Sequence, residues 1–168
     1  QGLNKSLLGE RQWSWLQQEL LSSKAEFKII VSSMQFLAEY HSYEAWKMFS
    51  REKQRLIGVL KAHDVEGVLF LSGDRHFGEV LLDKESLNYP LYEMTASPLA
   101  AGVGRGPKDA DVPRRIEGTM VSAEHFGQLD FDFSVSDPVL VMRAFGVDGA
   151  ELGRKVLLSA SELKLNQN

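Results

Sequence analysis

Alternating helical and extended patterns predict an α/β fold. An amphipathic period over residues 10–21 leads into the short β-branched run FKIIVSS (27–33). A second amphipathic period over 51–63 leads into another apolar run, VEGVLFLSG (65–73), and the remainder is a succession of short extended segments. Helix–strand–helix–strand order favours parallel neighbours, because parallel strands need a long crossover where antiparallel ones need only a turn.

The first helix is set by Trp13, Leu16 and Leu20 on one face and Gln17, Gln18 and Glu19 on the other, with Ser6 or Asn4 as its expected cap. FKIIVSS reads as a strand buried on both faces. A looser stretch, 34–49, is rich in Tyr, His and Trp. Ser50 is the expected cap of the second helix, whose inner face carries Leu56, Ile57 and Leu60. Further strands are expected at 79–82, 90–95, 116–121, 128–133, 139–145 and 155–158, the last after an Asp148-Gly149 turn signal. Alternation in LDFDFSV (129–135) fits a half-buried antiparallel strand. Residues 98–115, rich in Gly, Pro and charge, read as a solvated, mobile loop that includes Arg105, Lys108, Arg114 and Arg115. Trp13, Trp15 and Trp46 are expected in the core or covering a sheet, and His125 in a structural role. Glu93 and Ser97 are read as rim residues or turn caps, and 166–168 as a frayed tail.

Composition narrows the function classes. The chain has 168 residues, 43% hydrophobic and 25% charged, which suits one globular domain. No apolar run reaches about 18 residues, so no membrane-spanning helix is expected. Its 19 basic and 23 acidic residues give a net charge of −4 and no basic surface that would advertise nucleic-acid binding. There is no cysteine, so disulfides, zinc–thiolate sites and thiol nucleophiles are excluded. No Gly-x-Ser-x-Gly elbow, P-loop or dinucleotide fingerprint occurs. The chain opens with Gln1 and shows no targeting segment, so something upstream is expected to be absent.

The chemistry concentrates in LFLSGDRHFGEV (69–80). A buried strand ends at Ser72-Gly73, and Asp74 and His76 follow where α/β sheets bind ligands. A carboxylate and a neutral imidazole so placed suit a cation, the one supplying charge and the other a nitrogen for borderline metals. Glu79 is the candidate to hold the far ring nitrogen of His76, and Arg75 to face a phosphate. His41, in the loop after FKIIVSS, is a candidate to protonate a leaving group. On pattern alone, a solvated strand-end turn explains Asp-x-His as well.

The order of segments resembles the C-terminal half of the alkaline-phosphatase-D (PhoD-like) family of calcineurin-type metallophosphoesterases. The residues that carry the likeness are LLGERQWSWLQQELLSSKAEFKIIVSS (7–33), YEAWKMFSREKQRL (43–56), VLFLSGDRHFGEV (68–80), YPLYEMTAS (89–97) and EHFGQLDFD (124–132). The resemblance implies that residues 1–165 are half of a four-layer αββα metallophosphoesterase sandwich. It implies that Asp74 and His76, in a Gly-Asp-x-His motif, are late ligands of a two-metal centre that hydrolyses phosphate esters. Calcium with iron is the pair most like the family, with zinc or manganese as alternatives. In calcineurin-type enzymes the strand like FKIIVSS ends in a metal-binding histidine. Here Ser33 stands at that place and is expected to lie behind the ligands, although calcium would tolerate its oxygen. The family's earlier ligands precede the segment that Gln1 begins, so the chain is expected to need its N-terminal half, or to self-associate across unpaired strand edges. Export is the compartment that the resemblance suggests. The alternative is a non-catalytic β-rich binding or scaffold module derived from such an enzyme.

Overall fold

The protein is described here by a computed structural model covering residues 5–165. The chain runs α1 (Glu10–Ser22), β1 (Lys28–Val31), a 3-10 turn (Trp46–Phe49), α2 (Ser50–Ala62), β2 (Val68–Ser72), β3 (Glu79–Asp83), β4 (Leu91–Thr95), β5 (His125–Asp132), β6 (Val139–Gly146) and β7 (Glu151–Ser159), with short 3-10 turns at Asp109–Asp111 and Ser161–Leu163. The first four strands form one sheet in the order β1-β2-β4-β3, and the last three form another in the order β5-β6-β7. As the helix–strand alternation predicts, β1 and β2 are parallel; β4 also runs parallel to β2, and β3 returns antiparallel to β4. The second sheet is antiparallel throughout. The β6–β7 hairpin turns at the predicted Asp148-Gly149, where Gly149 takes a φ of 81°.

Register explains the layering. Phe70, Ser72, Glu93, Thr95, Glu79 and Leu81 share one face of the first sheet; Leu69, Leu71, Tyr92, Met94 and Val80 share the other. Leu69, Tyr92, Met94 and Val80 join Leu140, Met142, Val156 and Leu158 of the second sheet in one apolar core. On the first face, Phe36 stacks on Phe70 with ring centroids 4.1 Å apart, and Trp46 packs edge-on to both Phe36 and Trp13. Leu56 and Leu60 bring α2 onto the same core, as their spacing predicts, while Ile57 is only half-buried. The described residues therefore build a helix–sheet–sheet stack, a partial α/β sandwich.

Several expectations need correction. Neither helix has a side-chain cap: Gly9 precedes α1, and Ser50 is the first residue of α2. Ser6 instead bonds Glu52 Oε1 at 2.8 Å, while Glu52 accepts the amides of Leu7 and Leu8 at 3.0 and 2.9 Å, so α2 anchors the entry to α1. Asn4 and residues 166–168 lie outside the described residues. Trp15 is exposed, because the buried stripe of α1 runs through Trp13 and Leu20. Residues 116–121 form no strand. They follow the outer edge of β3 through isolated bridges at Arg115 and Val121, and Gly118, at φ 80°, turns the chain out of the pleat.

The strand expected to be buried on both faces is an edge. Ile29 and Val31 on β1 are 38% and 75% exposed. Beside them runs a groove of about 630 Å³ lined by α1 and β1, including Leu8, Trp15, Leu16, Ile29 and Val31. The apolar pattern of FKIIVSS is thus not used up within the described residues.

Candidate functional site at the ends of the parallel strands

Parallel β1, β2 and β4 finish level with one another. Each ladder continues one step past the strands, through Ser32 N–H to Leu71 O at 2.9 Å and Ala96 N–H to Ser72 O at 3.0 Å. Ser33, Asp74 and Ser97 therefore follow the same edge of the sheet. Ser33 and Asp74 are exposed, as is His76, while Arg75 is half-buried.

The turn after β2 is conformationally unusual. Asp74 and His76 both occupy left-handed backbone, at φ 68° and 60°. Such a conformation costs a side-chain-bearing residue on the order of 1–3 kcal/mol and is found where surrounding structure enforces it, often at functional sites. The enforcing contacts are visible here. Phe77 is buried (2% exposed) just beyond, and Gly104 N–H donates to His76 O at 2.6 Å. A Cβ on Gly104 would lie 3.0 Å from His76 Cβ and 3.2 Å from His76 O, tighter than ordinary contact, so glycine eases this close approach. The loop expected to be mobile thus braces the turn.

Beneath the edge lies a polar layer that sequence reasoning missed. Glu79, 2% exposed, does not reach His76 as expected. Its Oε1 accepts from Gln35 Nε2 and from the Tyr40 hydroxyl, both at 2.6 Å, and its Oε2 from Arg115 Nε at 2.7 Å. Burial beside the Glu79 carboxylate pushes the Tyr40 phenol well above its usual range, so it stays a donor. Arg115 is itself buried and also donates to Pro107 O at 2.6 Å and Asp109 at 3.1 Å. That corrects the solvated-loop reading of residues 98–115 in part: Arg105 and Lys108 are exposed as expected, but Arg115 holds the segment down from inside, and Arg114 pairs with Asp83 at 3.2 Å. Gln35 continues the layer to Thr95 Oγ1 at 2.8 Å, which meets Ser72 Oγ at 2.9 Å.

His41 joins this layer through Gln35, its Nε2 lying 3.0 Å from Gln35 Oε1. Burial, followed by the positive charges of Arg75 and Lys47, lowers its pKa to about 4, so the ring is neutral at pH 7. The Arg75 guanidinium lies 4.7 Å from the Tyr43 ring and 5.3 Å from that of Phe77. Glu93 is neither rim nor turn cap. Fully buried, it accepts the amides of Phe36 and Leu37 at 2.7 and 2.6 Å, and burial raises its pKa to about 7. It pins the loop that carries Gln35, Tyr40 and His41. His125 is structural, as expected: it is buried, with Nδ1 2.8 Å from Ala123 O and Nε2 accepting Ser97 N–H at 3.3 Å.

Part of this layer left a trace in the sequence. Gln35 is a lone polar residue within the apolar MQFLA, a sign of a satisfied buried group. Arg115 left none, since it looks like any other basic residue of its loop. As to a metal, the described residues contain no cluster of three or more His, Asp or Glu side chains able to hold one. Asp74 and His76 have suitable donor atoms, one anionic oxygen and one imidazole, at an exposed strand end. By their chemistry these two would fit a cation only together with further donors.

A mixed sheet backed by a second sheet, with polar and charged groups gathered beyond its parallel strand ends, places the chain among α/β sandwiches whose ligand sites lie at the strand ends. Within that class the match is specific: residues 1–134 fit the PhoD-like phosphatase family, and the chain belongs to it. It is 24% identical over 128 residues to alkaline phosphatase D of Bacillus subtilis (strain 168), an alignment covering 68% of this chain and 22% of that protein. A solved PhoD structure superposes with a TM-score of 0.62 at 17% identity, over 99% of this chain and 37% of the other. That likeness concerns the fold. The chain thus spans between about a fifth and two-fifths of the length of these relatives.

Proposed function

We propose that this chain is the C-terminal portion of a metal-dependent phosphoesterase, supplying Asp74 and His76 as late ligands of a two-metal centre and one wall of the substrate pocket. The observation that carries the proposal is the pair of left-handed residues, Asp74 and His76, braced by Gly104 beyond the central parallel strand of a PhoD-like fold. Once bound, paired cations would polarise a phosphoryl group and lower the pKa of a water. In this reading Asp74 and His76 hold and orient. Arg75, on the same turn, offers a guanidinium to a phosphate oxygen, and His41, neutral at pH 7, handles a proton nearby. Ser33 and Glu79 act from behind, Glu79 by fixing the loop rather than by touching His76.

The remaining ligands come from outside the described residues. The open edge of β1 and its apolar groove are where further strands of the complete protein would join, because exposed apolar edges are ordinarily paired or covered. Calcium with iron is the first metal pair to test, then zinc or manganese, and export is the compartment proposed from the family.

The test is His76→Ala in the complete protein, assayed on p-nitrophenyl phosphate and its bis-ester with and without chelator. Loss of a metal-dependent activity supports the proposal, and activity that survives the substitution overturns it.

A further inference from the structure

Gln35 has no task in the phosphoesterase reading, yet its surroundings are unusually determined. Its side chain is fully buried (0% exposed), so its polar atoms must be matched inside the protein. The amide nitrogen meets two acceptors, Glu79 Oε1 at 2.6 Å and Thr95 Oγ1 at 2.8 Å. Turning the amide over would set its oxygen against the carboxylate that Arg115 holds in an ion pair, acceptor against acceptor. The amide therefore has one orientation, with its oxygen 3.0 Å from His41 Nε2. An amide oxygen only accepts, so the hydrogen of neutral His41 must sit on Nε2. That leaves the lone pair on Nδ1, which is buried and makes no hydrogen bond of normal geometry, while the Tyr43 backbone beside the ring favours its protonated form.

We infer that Gln35 is a positioning residue that commits the His41 hydrogen to Nε2 and makes Nδ1 the one ring nitrogen able to accept a proton. The charges felt at His41 are those of Arg75, Lys47 and Glu39, and the rings of Tyr40 and Tyr43 pack against it at 4.9 and 6.1 Å. With two cations near and its one N–H engaged, His41 is an acceptor at neutral pH and not the proton donor that the sequence suggested. The catalytic consequence rests on the phosphoesterase reading, whereas the hydrogen placement does not.

Nuclear magnetic resonance on histidine-15N-labelled protein at pH 7 tests it, with His125 as an internal reference. A backbone carbonyl against Nδ1 and an amide N–H against Nε2 fix His125 in the opposite form, with its hydrogen on Nδ1. The wild type should show His41 with hydrogen on Nε2, exchanging at least about tenfold more slowly than that of exposed His76, as expected for one engaged hydrogen bond. Gln35→Met should abolish that protection and leave the His125 signal in place. A wild-type His41 with hydrogen on Nδ1, or equal protection in Gln35→Met, overturns the inference. If Gln35→Met loses the His125 signal, the wild-type spectrum alone decides. Assays of His76→Ala separate the two claims. An inactive His76→Ala beside a Nδ1-protonated His41 sinks only the Gln35 role, and an active His76→Ala beside a Nε2-protonated His41 sinks only the phosphoesterase reading.

Discussion

Glu79→Gln is a small change with a large expected cost. The two side chains have nearly the same volume, so packing is preserved. The carboxylate accepts from Gln35 and Tyr40 on one oxygen and from Arg115 on the other, and the Glu79 and Arg115 side chains are both 0% exposed. An amide can keep its oxygen toward Gln35 and Tyr40 only by turning its NH2 toward Arg115, donor against donor. A hydrogen bond to a charged group is then lost, worth about 1.5–3 kcal/mol. The Arg115 charge also stays buried with only Asp109 as counter-ion, and breaking a buried pair in this way costs about 3–5 kcal/mol in total. Urea denaturation followed by fluorescence of the buried Trp13 and Trp46 measures it. Adding Arg115→Met removes the stranded charge, so the double variant should be more stable than the sum of the two single losses by about 2 kcal/mol. A Glu79→Gln loss below about 1 kcal/mol, as for an exposed pair, or strict additivity in the double variant, refutes this account of the layer.

Four other outcomes are expected. Phe36→Ala removes the ring stacked on Phe70 and should cost about 3–5 kcal/mol in denaturant midpoint experiments. Val31→Lys, on the 75% exposed edge of β1, should leave the fold of this chain intact by circular dichroism while weakening its association with the remainder of the protein in gel filtration. His41 and Glu93 should give opposite pH slopes. The pKa of His41 is depressed, so its contribution to stability is complete above about pH 6.5 and is lost as pH falls through about 4. That of Glu93 is raised, so its contribution is complete below about pH 4.5 and is lost as pH rises through about 7; Tm against pH for His41→Gln and Glu93→Gln should each flatten in the matching window.

Local periodicity carried most of the fold. Trp13 and Leu20 placed α1, Leu56 and Leu60 placed α2, and the run ending at Ser72 placed the central strand, because each pattern is satisfied by the nearest core. The failures share a cause. Whether FKIIVSS is buried on both faces depends on what lies beyond β1, and whether residues 116–121 pair depends on one left-handed glycine at 118. The strand-end Asp74 and His76 were legible because they follow a buried strand and a glycine. The layer beneath them was not, since Gln35, Tyr40, Glu79 and Arg115 span residues 35–115 and meet only in three dimensions. Glu79 showed the hazard of short range: three residues from His76 in sequence, it bonds instead to partners 36–44 positions away.

The central claim is that Asp74 and His76 hold metal in a phosphoesterase that this chain shares with residues beyond it. Native mass spectrometry of the complete protein tests it most directly. The account predicts bound metal in the wild type, lost or much reduced in His76→Ala and Asp74→Asn with the polypeptide mass otherwise unchanged. A wild type that stays metal-free when supplied with calcium, iron, zinc or manganese would contradict it.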